Sequence, residues 1–240
     1  MDVHQGVLSH LQALHVVHQC MLRIGHIPRE VEEDDPAYPI LSVLDEDFDT
    51  VIAEVWAVLT PSEIKYTLNM LYSWYDTKED TSILVVCMPA THHNRGTLDS
   101  IKVAAHMTDE FPDKLIAIHD YSQYKPIHPI TWKPKMGDVI YWAVEHYKDN
   151  FSVLHVEQLR INPMDHALSD VTEVVPQEDL MMILRDLGQD QSFLPRISSQ
   201  EVICVLMSWV EGQILRTTDL NGQYIYRRIV DIPRVYLPSK

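Results

Sequence analysis

Apolar residues at Val7, Leu8, Leu11, Leu14, Val17, Met21 and Leu22 recur at three- and four-residue spacing. They predict a helix over 7–23 that stops at Gly25. A second helix is expected over 47–59, with Val51, Ile52, Val55, Trp56 and Leu59 apolar. Thr60-Pro61-Ser62-Glu63 then combines an N-cap threonine, a proline at the first helical position and a glutamate three residues on. The helix it opens carries Ile64, Leu68, Leu71 and Tyr72 and is expected to stop near Asp76. Two helices meeting at Thr60 imply a sharp corner. Downstream the pattern changes. Ile83-Leu84-Val85-Val86, within 82–88, is a continuous apolar run of strand length, as in a strand covered on both faces. Leu115-Ile116-Ala117-Ile118 is a second such run, and between them Thr97 caps a predicted helix carrying Ile101, Ala104, Ala105 and Met107. Strand, helix, strand in this order predicts a parallel unit. A proline-spaced loop over 126–134, a helix over 138–147 and an alternating strand over 151–159 complete this part.

The last third reads differently. Residues 176–186 predict a helix with Leu180, Ile183, Leu184 and Leu187 on one face, closed by Gly188. Leu194-Pro195-Arg196-Ile197 links it to a short apolar helix through Trp209, for which Ser198 and Glu201 have capping-box spacing. Gly212 releases the chain into 213–217, and Asn221-Gly222 turns it back through 224–230. An Asn-Gly pair between two β-rich runs is the strongest local hairpin signal. Pro233 and Pro238 make the remaining tail extended. The expected architecture is an α/β domain over 1–155 and a small α+β domain over 156–240 that ends in a β-hairpin.

Composition narrows the function. Nineteen Lys and Arg against 35 Asp and Glu give a net charge of −16 over 240 residues. Non-specific nucleic-acid binding draws mainly on phosphate neutralisation, so an independent wrapper of nucleic acid should show a basic face; no basic stretch exists here. Cys20, Cys87 and Cys204 are far apart, without CxxC spacing, and read as buried thiols rather than a disulfide framework or zinc ribbon. No run is long enough to span a bilayer, and no signal pattern opens the chain; the expectation is an intracellular, soluble protein. The acidic run 30–35 reads as a solvated loop, with a partner-binding patch as the sharper alternative.

Two histidine constellations could carry chemistry. His10, His15, His18 and His26 decorate the first helix, and His15 and His18 are close enough to share a metal. No third ligand is legible, so surface or half-buried histidines are the preferred reading. His92-His93 with Arg95 follows the first buried strand, and His119-Asp120 ends the second. Catalytic groups in parallel α/β sheets gather beyond the carboxyl ends of strands, so His92, His93, His119 and Asp120 could form an acid–base or metal-dependent hydrolase or nuclease site. No nucleophile elbow, HExxH or phosphate-binding loop accompanies them, and polar loop residues are the plainer reading.

Residues 159–230 resemble the fifth subunit shared by eukaryotic nuclear RNA polymerases I, II and III, together with its archaeal counterpart. The matching residues are Leu159, Ile161-Asn162, Asp165-His166-Ala167-Leu168, Leu194-Pro195-Arg196-Ile197, Gly212-Gln213, Gly222, Tyr224, Ile225 and Arg228. The resemblance implies a non-catalytic structural subunit without cofactor or small-molecule substrate. Its assembly domain would dock on the largest subunit, among other polymerase subunits. An N-terminal jaw would line the channel where downstream duplex DNA enters, contacting DNA through the assembled complex only. On this reading Asp165, His166, Leu168, Leu194, Pro195, Arg196, Ile197, Gly212, Gly222, Tyr224 and Arg228 form the docking set, with Arg196 and Arg228 placed for charge-assisted hydrogen bonds. Where the family has two basic residues before the hairpin glycine, this chain has Val210-Glu211. Its Asp-Pro is Glu201-Val202 here, and its hairpin loop is longer. These departures suggest a divergent paralogue serving one polymerase class, such as RNA polymerase I, or a virus-encoded subunit. A nuclear location follows, nucleolar for RNA polymerase I.

Overall fold

A computed structural model describes residues 3–78, 80–88, 112–119, 151–163, 172–199, 201–219 and 221–231. The chain divides into two compact units, the first ending at Arg160 and the second running over Ile161–Arg234.

The first unit opens with α1 (Val3–Arg23). Its apolar stripe is buried, with Leu11, Leu14, Val17 and Met21 fully enclosed. The helix ends in a Schellman turn: Gly25 N–H donates to Leu22 O and His26 N–H to Met21 O, with Gly25 at φ 82°. A side chain at Gly25 would be strained there and would also meet Lys78 Nζ 2.7 Å from its Cβ. After β1 (Ile27–Pro28) come the short α2 (Tyr38–Leu41) and α3 (Phe48–Val58), the latter capped by Asp47. The acidic run 30–35 is non-helical loop and turn. The capping box of Thr60 and Glu63 is formed in both directions and opens α4 (Pro61–Met70).

That helix ends six residues short of Asp76. Leu71 turns the chain out, and β2 (Tyr72–Asp76) follows where the helical pattern had been expected to continue. The reason is tertiary: Tyr72–Asp76 pairs antiparallel with β3 (Ser82–Met88), and this ladder outweighs the local periodicity. β3 in turn pairs parallel with β4 (Lys114–His119), and β4 parallel with β5 (Phe151–His155). Within β3 and β4, Ser82 to Cys87 and Leu115 to Ile118 are all buried. Since alternate residues point to opposite faces, both faces of these strands are covered. The strand expected over 151–159 stops at His155, and Val156–Leu159 is a 3-10 helix that packs against α1. The helices expected after Thr97 and over 138–147 lie outside the described residues.

In the second unit a four-stranded sheet has the order β6-β8-β9-β7. These strands are β6 (Thr172–Val174), β7 (Arg196–Ser198), β8 (Ile214–Thr218) and β9 (Tyr224–Val230). On one side α5 (Gln177–Leu187) lays Leu180, Ile183 and Leu184 against Val175, Leu194, Ile214 and Tyr226. On the other, α6 (Val202–Leu206) contributes Ile203 and Cys204 to a cluster with Val174, Ile197, Leu215, Ile229 and Trp209. Alternation along β8 and β9 feeds both clusters, so the sheet is the middle of three layers.

Two local expectations are corrected here. Ser198 does not cap the helix; it lies in β7, and Glu201 occupies the N-cap position of a helix that ends at Leu206 rather than Trp209. β7 exists because residues 196–198 pair parallel with Arg228, Ile229 and Val230, partners that local sequence does not reveal. The hairpin turn is also longer than a two-residue Asn221-Gly222 turn. It spans 219–223, with Asp219 Oδ1 accepting the N–H groups of Asn221 and Gln223 at 2.8 Å each.

Candidate docking surface

The sequence-predicted site residues fall into three groups. Asp165, His166 and Leu168 lie outside the described residues. Leu194 and Ile197 are framework: Leu194 is buried under α5, and Ile197 packs into the cluster beneath α6. Pro195, Arg196, Gly212, Gly222 and Tyr224 are exposed, and Arg228 is half-buried.

Backbone bonds bring these separated residues together. Arg228 N–H donates to Pro195 O at 2.8 Å, and Gly212 N–H to Ile229 O at 3.0 Å. Arg196 and Arg228 are direct partners in the β7–β9 ladder. Side chains at matched positions project to the same face of the sheet. Arg228 Nε is buried and, among the described residues, has no hydrogen-bond partner. Asp190 stands near: its carboxyl is held below the usual range by hydrogen bonds from Ser192 and, less strongly, by the Arg228 charge. Arg216, on β8, is engaged elsewhere. Its Nε donates to Glu173 Oε1 at 2.8 Å, and its guanidinium lies 5.0 Å from the centre of the Tyr224 ring.

Sequence reasoning missed some of this surface. Met181 is 76% exposed, Met182 59% and Phe193 76%. The signal was present, because Leu180, Ile183 and Leu184 define the buried stripe of α5 and leave the two methionines off it. Asp190 was missed as well; its Asp-x-Ser spacing, which caps the 3-10 helix Gln191–Phe193, is a weak cue. Val210 and Glu211 are both exposed, so they belong to the surface rather than the core.

Of the histidines on and after α1, His15 and His26 are half-buried as expected, whereas two others differ from the surface or half-buried expectation. His10 and His18 are buried. Tyr75 Oη–H donates to His18 Nδ1 at 2.8 Å, and His18 Nε2–H donates to Asp45 Oδ1 at 2.7 Å. His15 Nε2–H donates to Glu46 O at 2.9 Å. These rings tie α1 to the loop before α3 and to β2. Among the described residues no group of three His, Cys, Asp or Glu is placed to hold a metal. Of the hydrolase constellation only the backbone of His119 is described, at the end of β4 opposite Met88 and His155. His92, His93, Arg95 and Asp120 lie outside the described residues.

The chain is similar to the DNA-directed RNA polymerase subunit Rpo5 of Thermoplasma volcanium, 29% identical over 79 residues. The match takes in 91% of the archaeal protein and 30% of this chain. Over that stretch the chain is a distant relative of the archaeal subunit. No family model matches it. The matched share is close to that occupied by the Ile161–Arg234 unit. Among the described helices none is long and apolar enough to cross a membrane.

Proposed function

We propose that this chain is a non-catalytic structural subunit of a DNA-directed RNA polymerase, held in the complex by its second unit. The observation that carries the proposal is the similarity to Rpo5 over nearly the whole of that subunit's length. Supporting it, the motif residues from Leu194 to Arg228 meet across one small sheet, part as buried framework and part as exposed surface. The unit from Ile161 serves as the assembly domain, docking on the largest subunit. The preceding α/β unit is the jaw beside downstream duplex DNA. The net charge of −16 suits a subunit that lies near DNA within an assembly and does not bind it alone. Exposed Val210 and Glu211, in place of two basic residues, favour a partner surface specialised to one polymerase class. In a eukaryotic cell this role places the chain in the nucleus.

Affinity purification of the tagged full chain from native extract tests this. Large polymerase subunits are expected in stoichiometric amounts, and the subunits recovered identify the polymerase class. A purification that returns no polymerase subunit overturns the reading. So does sub-micromolar binding of duplex DNA by the isolated protein at physiological salt, which would make it an independent DNA binder.

A further inference from the structure

We propose that the outward face of α3 is a docking site for a basic amphipathic segment of another polypeptide, one whose apolar stripe is flanked by Lys and Arg. The site lies in the first unit, outside residues 159–230, and does not depend on the polymerase reading. Val51 and Val55 of α3 are fully buried. At 3.6 residues per turn Asp49, Ala53, Trp56 and Ala57 fall on the opposite side, and all four are exposed. A helix with one buried stripe ordinarily carries polar and charged residues opposite it. Beyond Asp49 the charged residue of α3 is Glu54 alone. Trp56 is 38% exposed, and Val58, in the last turn, 68%. Single exposed apolar side chains need no explanation. These share one face over two turns, with half-buried Ile52 one turn before Trp56. The alanines at 53 and 57 leave a shallow surface that lets a second helix approach closely beside the Trp56 ring.

Charge decides the occupant. Between Arg29 and Lys65 the chain has no Lys, Arg or His, while it has eleven Asp and Glu. Asp47 and Asp49 stand at the start of α3, Glu54 along it, and Glu63 in the first turn of α4, all of them exposed. Such a rim repels a phosphate backbone, an anionic membrane surface and a second copy of this chain, whose own net charge is −16. It attracts Lys and Arg, steering a basic segment onto the face, and the tryptophan supplies the apolar anchor.

The test titrates the purified full-length protein with a synthetic peptide of leucine and lysine at amphipathic helical spacing, and with the same residues scrambled. Calorimetry reads affinity and hydrogen exchange reads location. The patterned peptide is expected to bind one-to-one, less tightly as salt rises, and to slow exchange of the amides of 48–58; the scrambled peptide should bind at least about tenfold more weakly. Ala57→Arg keeps a good helix former at an exposed position and should weaken the patterned peptide at least about tenfold. Unchanged exchange of α3 in the free variant checks its fold. Glu54→Gln keeps the shape and removes one charge, so it should weaken binding by less and flatten the salt dependence; it carries the test if Ala57→Arg loosens α3. Absence of binding, equal binding of the two peptides, or protection confined to segments other than α3 overturns the proposal. So does a folded Ala57→Arg that binds as wild type, or a Glu54→Gln with unchanged affinity and salt dependence. A wild-type dimer that Ala57→Arg dissolves, or protection of α3 by duplex DNA, overturns it in favour of those occupants.

Discussion

Replacing Tyr75 by phenylalanine removes a single oxygen from the interior of the first unit. That oxygen is the donor to His18 Nδ1 at 2.8 Å, in a site where Tyr75 is fully enclosed and His18 is 4% exposed. Burial raises the Tyr75 phenol well above its usual pKa, so the hydroxyl keeps its proton and donates. His18 is then the tautomer with Nε2–H, which donates to Asp45. In Tyr75→Phe the lone pair on Nδ1 has neither this donor nor ready access to water. An orphaned buried acceptor costs about 1–3 kcal/mol. The Asp45 bond contributes much less, because Asp45 is 71% exposed and water competes for its carboxylate. The assay is native-state hydrogen exchange at the amides of β2 and β3, which reports opening of this unit even though the chain has two. Tyr75→Phe is expected to lower opening free energy by about 1–3 kcal/mol in wild type, and by under about 0.5 kcal/mol in a His18→Leu background, where no acceptor remains. Equal losses in both backgrounds would refute the reasoning, since the oxygen would then be acting through packing rather than through His18.

The other expectations concern both units. Gly188 closes α5 at φ 62° with nothing within 4 Å of an added Cβ; Gly188→Ala should therefore cost about 1–2 kcal/mol from backbone conformation alone, read as faster exchange of α5 amides, and an unchanged rate would contradict it. Ile229 is fully buried between α6 and the sheet; Ile229→Ala should cost about 2–5 kcal/mol and unprotect β8 and β9, whereas a loss below about 1 kcal/mol would show that the cluster closes around the cavity. His18 is held below its usual pKa of 6.5 by burial, against an opposing pull from Asp45, and His26 by burial and then by Lys114 and Lys78. A lowered folded-state pKa means that the unfolded chain takes up the proton first, so the contribution is present above pH 6.5 and is lost as pH falls through the lowered folded-state values, with buried His18 the larger source and the more exposed His26 reduced by solvent screening; exchange-derived stability that stays flat from pH 7 to 5 would be incompatible with this. Burial pushes Cys87 up to about 12, and burial with nearby Glu201 pushes Cys204 up to about 11. Disulfide reagents at pH 8 should modify them only as fast as the fold opens, and rapid labelling of native protein would count against the buried thiolate argument.

Much of the secondary structure was legible because its causes are local. The 3.6-residue stripe of α1 and the Thr60–Glu63 box act within one or two turns, and each is present as read. The apolar runs 82–88 and 115–118 signalled buried strands because burial on both faces leaves no polar alternation. Tyr72–Asp76 and Arg196–Ser198 were not legible as strands. Their strand character is conferred by β3 and β9, and their own residues suit a helix or a connection equally well. The docking set was legible as a spaced motif. Which of its members are core and which are surface was not, since Leu194 and Arg196 stand two residues apart in the same run.

What the chain determined by itself is α1, α3, α5 and the capping box that opens α4, the two buried strands, the hairpin strands and the spacing of a polymerase-subunit motif, all carried by short-range periodicity and residue type. Tertiary structure decided the rest. It made His18 a hydrogen-bonded tie, because Tyr75 and Asp45 come near it only once α1 has packed into the first unit. It also placed Arg196 beside Arg228, 32 positions later in the chain, because a parallel ladder sets neighbours by register and not by sequence separation.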